Sequence, residues 1–353
     1  MRTLLLLLLP LTFLHCSNPD DDIVGTQPED GAWLLPADEI FDGGPGKDGI
    51  PAVDAPQFDP AAQASALAPE ELVVGIAVDG VYRAYPHTIL DWHEIVNDEI
   101  GTLPFAVTYC PLTGTAIGYD RRIDGTPTTF GVSGLLYNTN LIPYDRASDS
   151  NWSQIERRSV QGALAGRAAA TVPLIETTWE TWQGWFPQTT VLSTRTGYSR
   201  NYGQYPYGNY RVAEQLFYPI VPDDRRLHRK TRGLIVVGPN GESFFPLTAF
   251  GDSLRVAAAE VGDLPIVVAG DGDRNFIVAY QRRLPDGTLL DFTAATDGAN
   301  NTLLRDQEGT IWNVLGEAIS GPRTGTRLQT TESFMAYWLA AGSFFPGITI
   351  DTL

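Results

Sequence analysis

The stretch Leu103–Arg122, LPFAVTYCPLTGTAIGYDRR, recurs in outline at Leu264–Arg283, LPIVVAGDGDRNFIVAYQRR. Each copy contains a Leu-Pro start, an apolar run, a turn and a second apolar run. The correspondence continues through Trp152 and Trp312. A unit that occurs twice predicts two similar halves that pack against each other. We therefore predict an α+β fold, rich in strands with few short helices, in which an internal duplication forms two lobes related by a pseudo-two-fold axis.

The composition shifts along the chain predict six segments. We expect a signal peptide at 1–15, a lipidated acidic tether at 16–30, a Gly/Pro-rich arm packed on the body at 31–70, a first repeat with the candidate site at 71–197, a Tyr-rich connector at 198–232, and a second, degenerate structural repeat at 233–353. Six tyrosines lie between 198 and 230, so the connector is expected to pack on the surface of the repeats.

The charge balance restricts the partners of the protein. The 353 residues include 42 acids and 24 bases. Nucleic acids and anionic membrane faces need clustered positive charge, so both are poor partners. An unknown small molecule, peptide or glycan remains as the expected partner of a protein predicted to be a monomer. The 43% of hydrophobic residues suffices for a buried core.

The N-terminus has the pattern of a targeting segment. Arg2 precedes an apolar stretch that runs from Leu4 to Leu14 and ends at Cys16. This stretch is about half the roughly 20 residues that a membrane-spanning helix needs, so it predicts a cleaved signal peptide. We expect lipid attachment at Cys16 and a location in the cell envelope, with membrane contact only through that anchor. The alternative is an ordinary secretory signal and a secreted or periplasmic protein.

Two hairpins and two helices are predicted near the start and the middle of the repeats. Asp79-Gly80 and Asn240-Gly241 lie between apolar runs, and both dipeptides favour the positive φ angles of tight hairpins. Apolar periodicity predicts a helix over Thr88–Asn97 and another over Thr177–Trp185. On the first helix His93 and Asn97 fall at the edge of the apolar face. The acidic side chains Asp91, Glu94 and Asp98 are expected to face solvent.

The candidate site rests on one thiol. Cys110 ends a predicted strand and begins a Cys-Pro-Leu-Thr-Gly turn, whereas the second copy has Asp271 at that position. If Cys16 is lipidated, Cys110 is the only thiol of the mature chain and forms no internal disulfide. His93 is the candidate base or imidazole ligand, and Asn97 would orient its second nitrogen.

A metal centre is the second form of this hypothesis. A thiolate and an imidazole favour copper(I), with zinc second. Cys110 and His93 supply only two ligands, so an Asp, Asn, Met or water would have to complete the shell. Further residues expected to line a binding site follow from their place beside Cys110 or in neighbouring loops: Lys47, Tyr109, Thr113, Trp152, Asp145 and Arg146. Asp145 and Arg146 form a candidate ion pair, Trp152 is better explained by core packing, and His87 is expected to be exposed.

Several long motifs resemble a known family. They are FDGGPGKDGIPAVDAPQF at 41–58, AYPHTILDWHEIVND at 84–98, YCPLTGTAIGYDR at 109–121, FGVSGLLYNTNLIPYDR at 130–146, NWSQ at 151–154 and TTWETWQGWFP at 177–187. In these motifs, over roughly residues 37–250, the chain resembles the bacterial and archaeal "domain of unknown function 3179" family. The resemblance implies an extracytoplasmic, often lipidated protein, and no established activity.

One departure from that family bears on the chemistry. Many relatives have Cys-Pro-x-Cys at the turn, but Thr113 stands in place of the second cysteine here. This argues against a required dithiol and leaves Cys110 to act alone or with His93. Two classes of function stay open. The first is an extracytoplasmic enzyme, thiol-based or with a single metal ion. The second is a non-catalytic cell-surface binding or assembly module with Cys110 as a structural core residue.

Overall fold

The computed structural model describes residues 33–64, 67–296 and 300–353. The predicted signal peptide, the lipid attachment at Cys16 and the acidic tether lie outside these residues. Within the described ranges, every helix falls short of the length and apolarity needed to cross a bilayer.

The described residues of the first half of the chain form sixteen strands and two α-helices. The strands are β1 (Ile40–Asp42), β2 (Phe58–Pro60), β3 (Leu72–Val78), β4 (Val81–Pro86), β5 (Ile95–Ile100), β6 (Leu103–Cys110), β7 (Thr115–Asp120), β8 (Arg122–Ile123), β9 (Thr126–Pro127), β10 (Phe130–Tyr137), β11 (Asn140–Asp145), β12 (Asn151–Ser153), β13 (Arg158–Gln161), β14 (Thr171–Val172), β15 (Ile175–Thr178) and β16 (Thr190–Leu192). The helices are α1 (His87–His93) and α2 (Trp179–Trp185), with short 3-10 turns at Ala37–Glu39 and Ala61–Gln63.

The second half continues with eleven strands and one α-helix in its described residues. The strands are β17 (Arg232–Gly238), β18 (Gly241–Pro246), β19 (Arg255–Val261), β20 (Leu264–Asp271), β21 (Phe276–Gln281), β22 (Phe292–Ala294), β23 (Thr302–Asp306), β24 (Ile311–Asn313), β25 (Ala318–Ser320), β26 (Glu332–Tyr337) and β27 (Thr349–Ile350). The helix is α3 (Trp338–Phe344), and a 3-10 turn spans Leu247–Phe250.

The sheets of the two halves share their strand orders. Order β15-β3-β4-β16 in the first half corresponds to β26-β17-β18-β27 in the second, and the last strand of each is parallel to its neighbour. The meander β5-β6-β7 corresponds to β19-β20-β21, and β10-β11-β12-β13 to β22-β23-β24-β25. The predicted strand-rich α+β class with few short helices is confirmed. The duplication stays a prediction, and superposing residues 72–192 on 233–351 tests it. We call the part of the chain from β3 to β16 the first lobe and the part from β17 to β27 the second lobe.

The two predicted hairpins form different turns. Asp79 and Gly80 have φ angles of 48° and 78°, the pair of left-handed residues that a type I′ turn requires. In the second hairpin Gly238 pairs with Gly241, so the turn residues are Pro239 and Asn240. Proline fixes φ near −65°, and Asn240 is not among the residues of positive φ. The prediction of a positive φ at Asn240-Gly241 was therefore wrong.

The helix predicted over residues 88–97 is too long. Helix α1 ends at His93 because Glu94 takes a left-handed φ of 56°, and β5 then runs from Ile95. The β-branched Ile95 and Val96 pair with Thr108 and Val107 of β6, a buried position that favours strand over helix. Asn97 is therefore a strand residue and does not lie one helical turn from His93.

The arm and the connector both lie against the body. Strands β1 and β2 of the arm pair with β10 and β16, and Val53 bridges to Val96 of β5. The connector contains no helix or strand between β16 and β17, and the structure describes all of its residues. It is anchored by hydrogen bonds such as that from the Trp92 indole to Gln204 O, at 3.1 Å.

Candidate functional site

Cys110 ends β6 and is buried, with 1% of its surface exposed. Its thiol donates to Thr139 O at 3.6 Å. Burial, with the carboxyl of Glu94 nearby, raises the pKa of the Cys110 thiol to about 11. The thiolate is the reactive form, so a thiol with this pKa is a poor nucleophile at neutral pH. These features fit the hypothesis of a structural thiol and oppose that of an activated one.

Both ring nitrogens of His93 contact groups other than the Cys110 thiol. Its Nδ1 lies 2.7 Å from Pro51 O, and its Nε2 lies 2.7 Å from the Tyr202 hydroxyl. Burial lowers the pKa of His93, so the ring is neutral at physiological pH. No hydrogen bond within the described residues joins His93 to Cys110. His93 thus ties the arm and the connector to α1, and the prediction that it acts as base to Cys110 is not supported.

Two further predicted site residues are bound elsewhere. Asn97 donates to Asp54 Oδ1 at 2.7 Å and to Phe130 O at 2.8 Å, and it accepts from Phe130 N at 2.8 Å. It therefore holds the arm and β10 together and does not orient His93. Lys47 is half exposed and forms an ion pair with Asp149, so it does not reach the thiol.

Asp145 and Arg146 do not pair with each other. Asp145 is fully buried and accepts from the indole of Trp152 at 3.0 Å. Arg146 instead contacts Asp54 at 2.9 Å and Asp48 at 3.4 Å. Trp152 is 1% exposed and belongs to the apolar core, as its recurrence predicted.

Tyr109 and Thr113 flank the thiol in sequence and are both buried. The Tyr109 hydroxyl lies 3.1 Å from Nδ1 of His87, and Thr113 Oγ1 accepts from Asn140 at 2.9 Å. The prediction of an exposed His87 was wrong, because its Nε2 lies 3.0 Å from the buried carboxylate of Glu176. Burial lowers the pKa of His87, so its ring is also neutral.

The donor set for a metal ion is incomplete. Among the described residues, no three His, Cys, Asp or Glu side chains come together as a metal ligand set. Since both nitrogens of His93 face oxygen partners, the shell predicted around Cys110 does not form. The residues present therefore do not fit the copper or zinc that the sequence suggested.

Sequence reasoning missed the acidic side chains of α1 and β5, which were expected to face solvent. Asp91, Glu94 and Asp98 are between 3% and 7% exposed. The connector covers the first two: Arg211 binds Asp91 at 2.7 Å, and the Tyr207 hydroxyl donates to Glu94 Oε1 at 3.0 Å. A helical wheel assumes that the polar face of a helix is exposed to solvent. It cannot predict that another segment of the chain, here the connector, covers that face.

Two features of Glu94 are energetically unfavourable. Its backbone is left-handed, and its carboxyl is buried with one hydrogen bond, from Tyr207, among the described residues. Burial raises the pKa of Glu94 to about 7. Strained and strongly perturbed residues concentrate at functional sites. This places Glu94 ahead of His93 as a candidate functional residue.

Lys230 is a further residue that sequence reasoning missed. It is 8% exposed, and its Nζ has no hydrogen-bond partner among the described residues. The Nζ lies 3.0 Å from the centroid of the Tyr210 ring, a cation–π contact that offers no acceptor for its hydrogens. Burial, with the charge of Arg229, lowers the pKa of Lys230 to about 7. The chain has only two lysines, and this scarcity was the one feature of the sequence that could have drawn attention to Lys230.

We call the buried polar cluster beneath the connector the connector site. It comprises Glu94, Cys110, Tyr205, Tyr207, Tyr210, Lys230 and Tyr337. Cys110 lies close enough to affect the pKa of Lys230 and of the three connector tyrosines. The hydroxyl of Tyr205 is a second buried polar atom without a partner in the described chain. The first lobe, the connector and the second lobe all contribute to this site.

A separate groove lies between the lobes. It has a volume of about 740 Å³ and is lined by residues of both, including Trp182, Tyr280 and Met335. The ion pair between Arg157 and Glu332, at 2.6 Å, joins two of its lining residues. None of the residues of the connector site lines this groove, so the groove and the buried polar cluster are different places.

Fold and site define a strand-rich protein with a buried polar cluster beneath its connector. The sequence model of a family described as "protein of unknown function (DUF3179)" matches residues 47–348. The chain belongs to this family, and the match continues on the C-terminal side of residue 250, where the resemblance seen in the motifs ended. No curated protein and no solved structure gives a significant match.

Proposed function

We propose that this protein is an extracytoplasmic small-molecule-binding protein whose ligand occupies the connector site. The observation that carries the proposal is the amine of Lys230, which is buried without an acceptor for its N–H groups. A buried donor left unpaired costs on the order of 1–3 kcal/mol. A ligand with a carbonyl or carboxylate oxygen would satisfy this donor and recover that cost.

The surroundings of the amine favour a small organic ligand. Tyr210 and Tyr337 supply aromatic surface near Nζ, which lies 3.0 and 5.7 Å from their ring centroids. The hydroxyl of Tyr205 adds a second unpartnered polar group. Apolar walls with a few convergent polar groups are the usual composition of a small-molecule site. This form of the hypothesis makes Cys110 a structural residue of a binding module.

Thermal unfolding with a panel of small carboxylic acids, aldehydes and ketones tests the proposal. A ligand at one hundred times its Kd should stabilise the fold by about 2.7 kcal/mol. Lys230→Met should weaken binding at least about tenfold, the loss of one hydrogen bond. Lys47→Met is the matched control, since it removes the other lysine, which is exposed.

Two results would overturn this assignment. Equal affinity of the wild type and Lys230→Met for a ligand would place binding elsewhere, as would equal losses in Lys230→Met and Lys47→Met. If Lys230→Met does not fold, Tyr205→Phe removes the other unpartnered polar group with little change of shape. Unchanged affinity in that variant would contradict the proposal.

We further propose that the mature protein is anchored in the cell envelope through a lipid on Cys16. The support is the short apolar stretch that ends at this residue. Mass spectrometry of the N-terminal peptide from the native membrane fraction should find the chain starting at a diacylated Cys16. Cys16→Ser should release the protein into the soluble fraction, whereas Cys110→Ser should not. An unmodified Cys16 in a tail would establish the ordinary secretory alternative.

A further inference from the structure

Lys230 has the environment of a reactive amine. Its Nζ lies close to the rings of Tyr210 and Tyr337, and no carboxylate among the described residues forms an ion pair with it. The backbone of Lys230 is fixed at the end of the connector, where Lys230 N donates to His228 Nδ1 at 3.1 Å. A lysine desolvated in this way is the form that proteins use for covalent capture of carbonyl compounds.

The protonation state supports the same chemistry. An amine attacks only when neutral, and an ordinary lysine has a pKa of about 10.4. The pKa of Lys230, lowered by burial to about 7, leaves close to half of it neutral at pH 7. That fraction exceeds the neutral fraction of an ordinary lysine about a thousandfold. Reactivity at neutral pH therefore distinguishes Lys230 from an exposed amine.

We infer that Lys230 captures a small aldehyde or ketone as an imine within the connector site. This inference rests on the proposed function. It specifies that the ligand oxygen that accepts from Lys230 belongs to a carbonyl group. The lone pair of Nζ forms a bond to the carbonyl carbon while the carbon–oxygen π electrons move to oxygen. A proton passes from nitrogen to that oxygen to give a carbinolamine. Loss of the hydroxyl as water, with departure of the second nitrogen proton, gives the imine. Nothing is oxidised or reduced, and hydrolysis reverses the step.

One group of the connector site can supply the proton that the departing hydroxyl needs. It is the hydroxyl of Tyr205, which is buried and has no partner among the described residues. The rings of Tyr210 and Tyr337 favour a carbonyl compound with an apolar or aromatic substituent.

Reductive trapping tests the inference on the full chain. The protein is incubated with propanal or benzaldehyde and sodium cyanoborohydride at pH 7, and peptides are mapped by mass spectrometry. The chain contains two lysines, so Lys47 serves as an internal control in the same molecule. We expect Lys230 to be modified at least about tenfold faster than Lys47, which is well below the thousandfold difference in neutral amine because access to Lys230 is restricted. The rate at Lys230 should rise as pH increases through about 7, where this amine loses its proton.

The outcomes separate this inference from the proposed function. Equal or slower modification of Lys230 overturns the imine, whatever the variants do. If Lys230 resists trapping while Lys230→Arg and the wild type both bind a carboxylic acid reversibly, the imine is wrong and the binding site stands. If neither trapping nor reversible binding depends on Lys230, both fail. Because the comparison of Lys230 with Lys47 needs only the wild type, a variant that does not fold leaves the test intact.

Discussion

Glu176 and Arg232 join the two lobes through a buried ion pair, with Glu176 Oε2 2.9 Å from Arg232 Nη2. Glu176 lies on β15 of the first lobe and Arg232 begins β17 of the second. The same carboxylate oxygen lies 3.0 Å from Nε2 of His87. Burial alone would raise the pKa of Glu176, but Arg232 and His87 reverse this and hold it below its usual value. The carboxylate is therefore ionised and binds the lobes to each other.

Replacing Glu176 should destabilise the whole protein. Glu176→Gln removes the negative charge and leaves the buried Arg232 without its counter-charge, a change that typically costs 3–5 kcal/mol. Chemical unfolding at neutral pH should show this loss. Glu180→Gln, in an exposed position of α2, is the control and should change stability by less than about 0.5 kcal/mol. Unchanged stability of Glu176→Gln would mean that the pair does not hold the lobes together.

Glu94 should give the stability of the unliganded protein a dependence on pH. Its folded pKa of about 7 lies above the ordinary value of 4.5, so the fold favours the protonated carboxyl. This contribution is complete below pH 4.5 and is lost as pH rises through about 7. Glu94→Gln should remove a decrease of on the order of 3 kcal/mol over that interval. The control is Glu99→Gln on the exposed side of β5, and parallel pH profiles for all three proteins would contradict the assignment.

The thiol of Cys110 should resist modification in the folded protein. A pKa of about 11 leaves almost no thiolate at pH 7, and 1% exposure restricts access. Peptide mapping after treatment with iodoacetamide should find Cys110 unmodified until guanidinium chloride unfolds the chain. Rapid alkylation of the folded protein would instead support the hypothesis that Cys110 is the nucleophile of a thiol-based enzyme. Cys110→Ser should retain the ligand affinity of the wild type if the thiol is structural.

The strands were predictable because their signals are local. Apolar runs such as Leu103–Tyr109 and turn residues such as Asp79-Gly80 specify a strand or a hairpin within a few residues. The end of α1 was missed because it depends on a left-handed Glu94, a conformation that a glutamate seldom adopts. Its cause is tertiary: β5 pairs with β6 from Ile95 onward.

The candidate site was only partly predictable because its members are distant in sequence. Cys110 was singled out by its turn, but Lys230, whose pKa responds to the charge of Cys110, comes from the far end of the connector. The acidic face of α1 resembled a solvated surface until Arg211 and Tyr207 covered Asp91 and Glu94. Hydrophobic periodicity reports which face is apolar and carries no information about a polar face that another segment buries.

Asp271 should tolerate a change of charge. It ends β20 as Cys110 ends β6, it is 5% exposed, and it accepts from Arg274 N at 3.1 Å. Asn retains an acceptor at this position, so Asp271→Asn should cost less than about 1 kcal/mol and leave ligand affinity unchanged. Asp271→Ala should cost about 1–2 kcal/mol, because it removes the acceptor. Loss of binding in Asp271→Asn with the fold intact would move the site to the second lobe.

Truncation of Trp338 should destabilise the protein more than truncation of a partly exposed large side chain of the second lobe. Trp338 is fully buried at the start of α3, its indole donates to Asp224 O at 2.8 Å, and its ring centroid lies 5.1 Å from that of Phe244. Trp338→Ala should therefore cost about 3–5 kcal/mol through the cavity and the lost hydrogen bond.

Calorimetry should show that cost as a decrease in Tm on the order of 5–10 °C. Leu289→Ala, also a large-to-small change in the second lobe, is the control: Leu289 is 42% exposed, so its truncation leaves no cavity. The Asp224 carbonyl belongs to the connector, so loss of Trp338 also frees one of the contacts that hold the connector over the site. If the second lobe stabilises the site in this way, Trp338→Ala should weaken ligand binding as well as the fold. A lower Tm with unchanged affinity would show that the connector is held by its contacts to the first lobe alone.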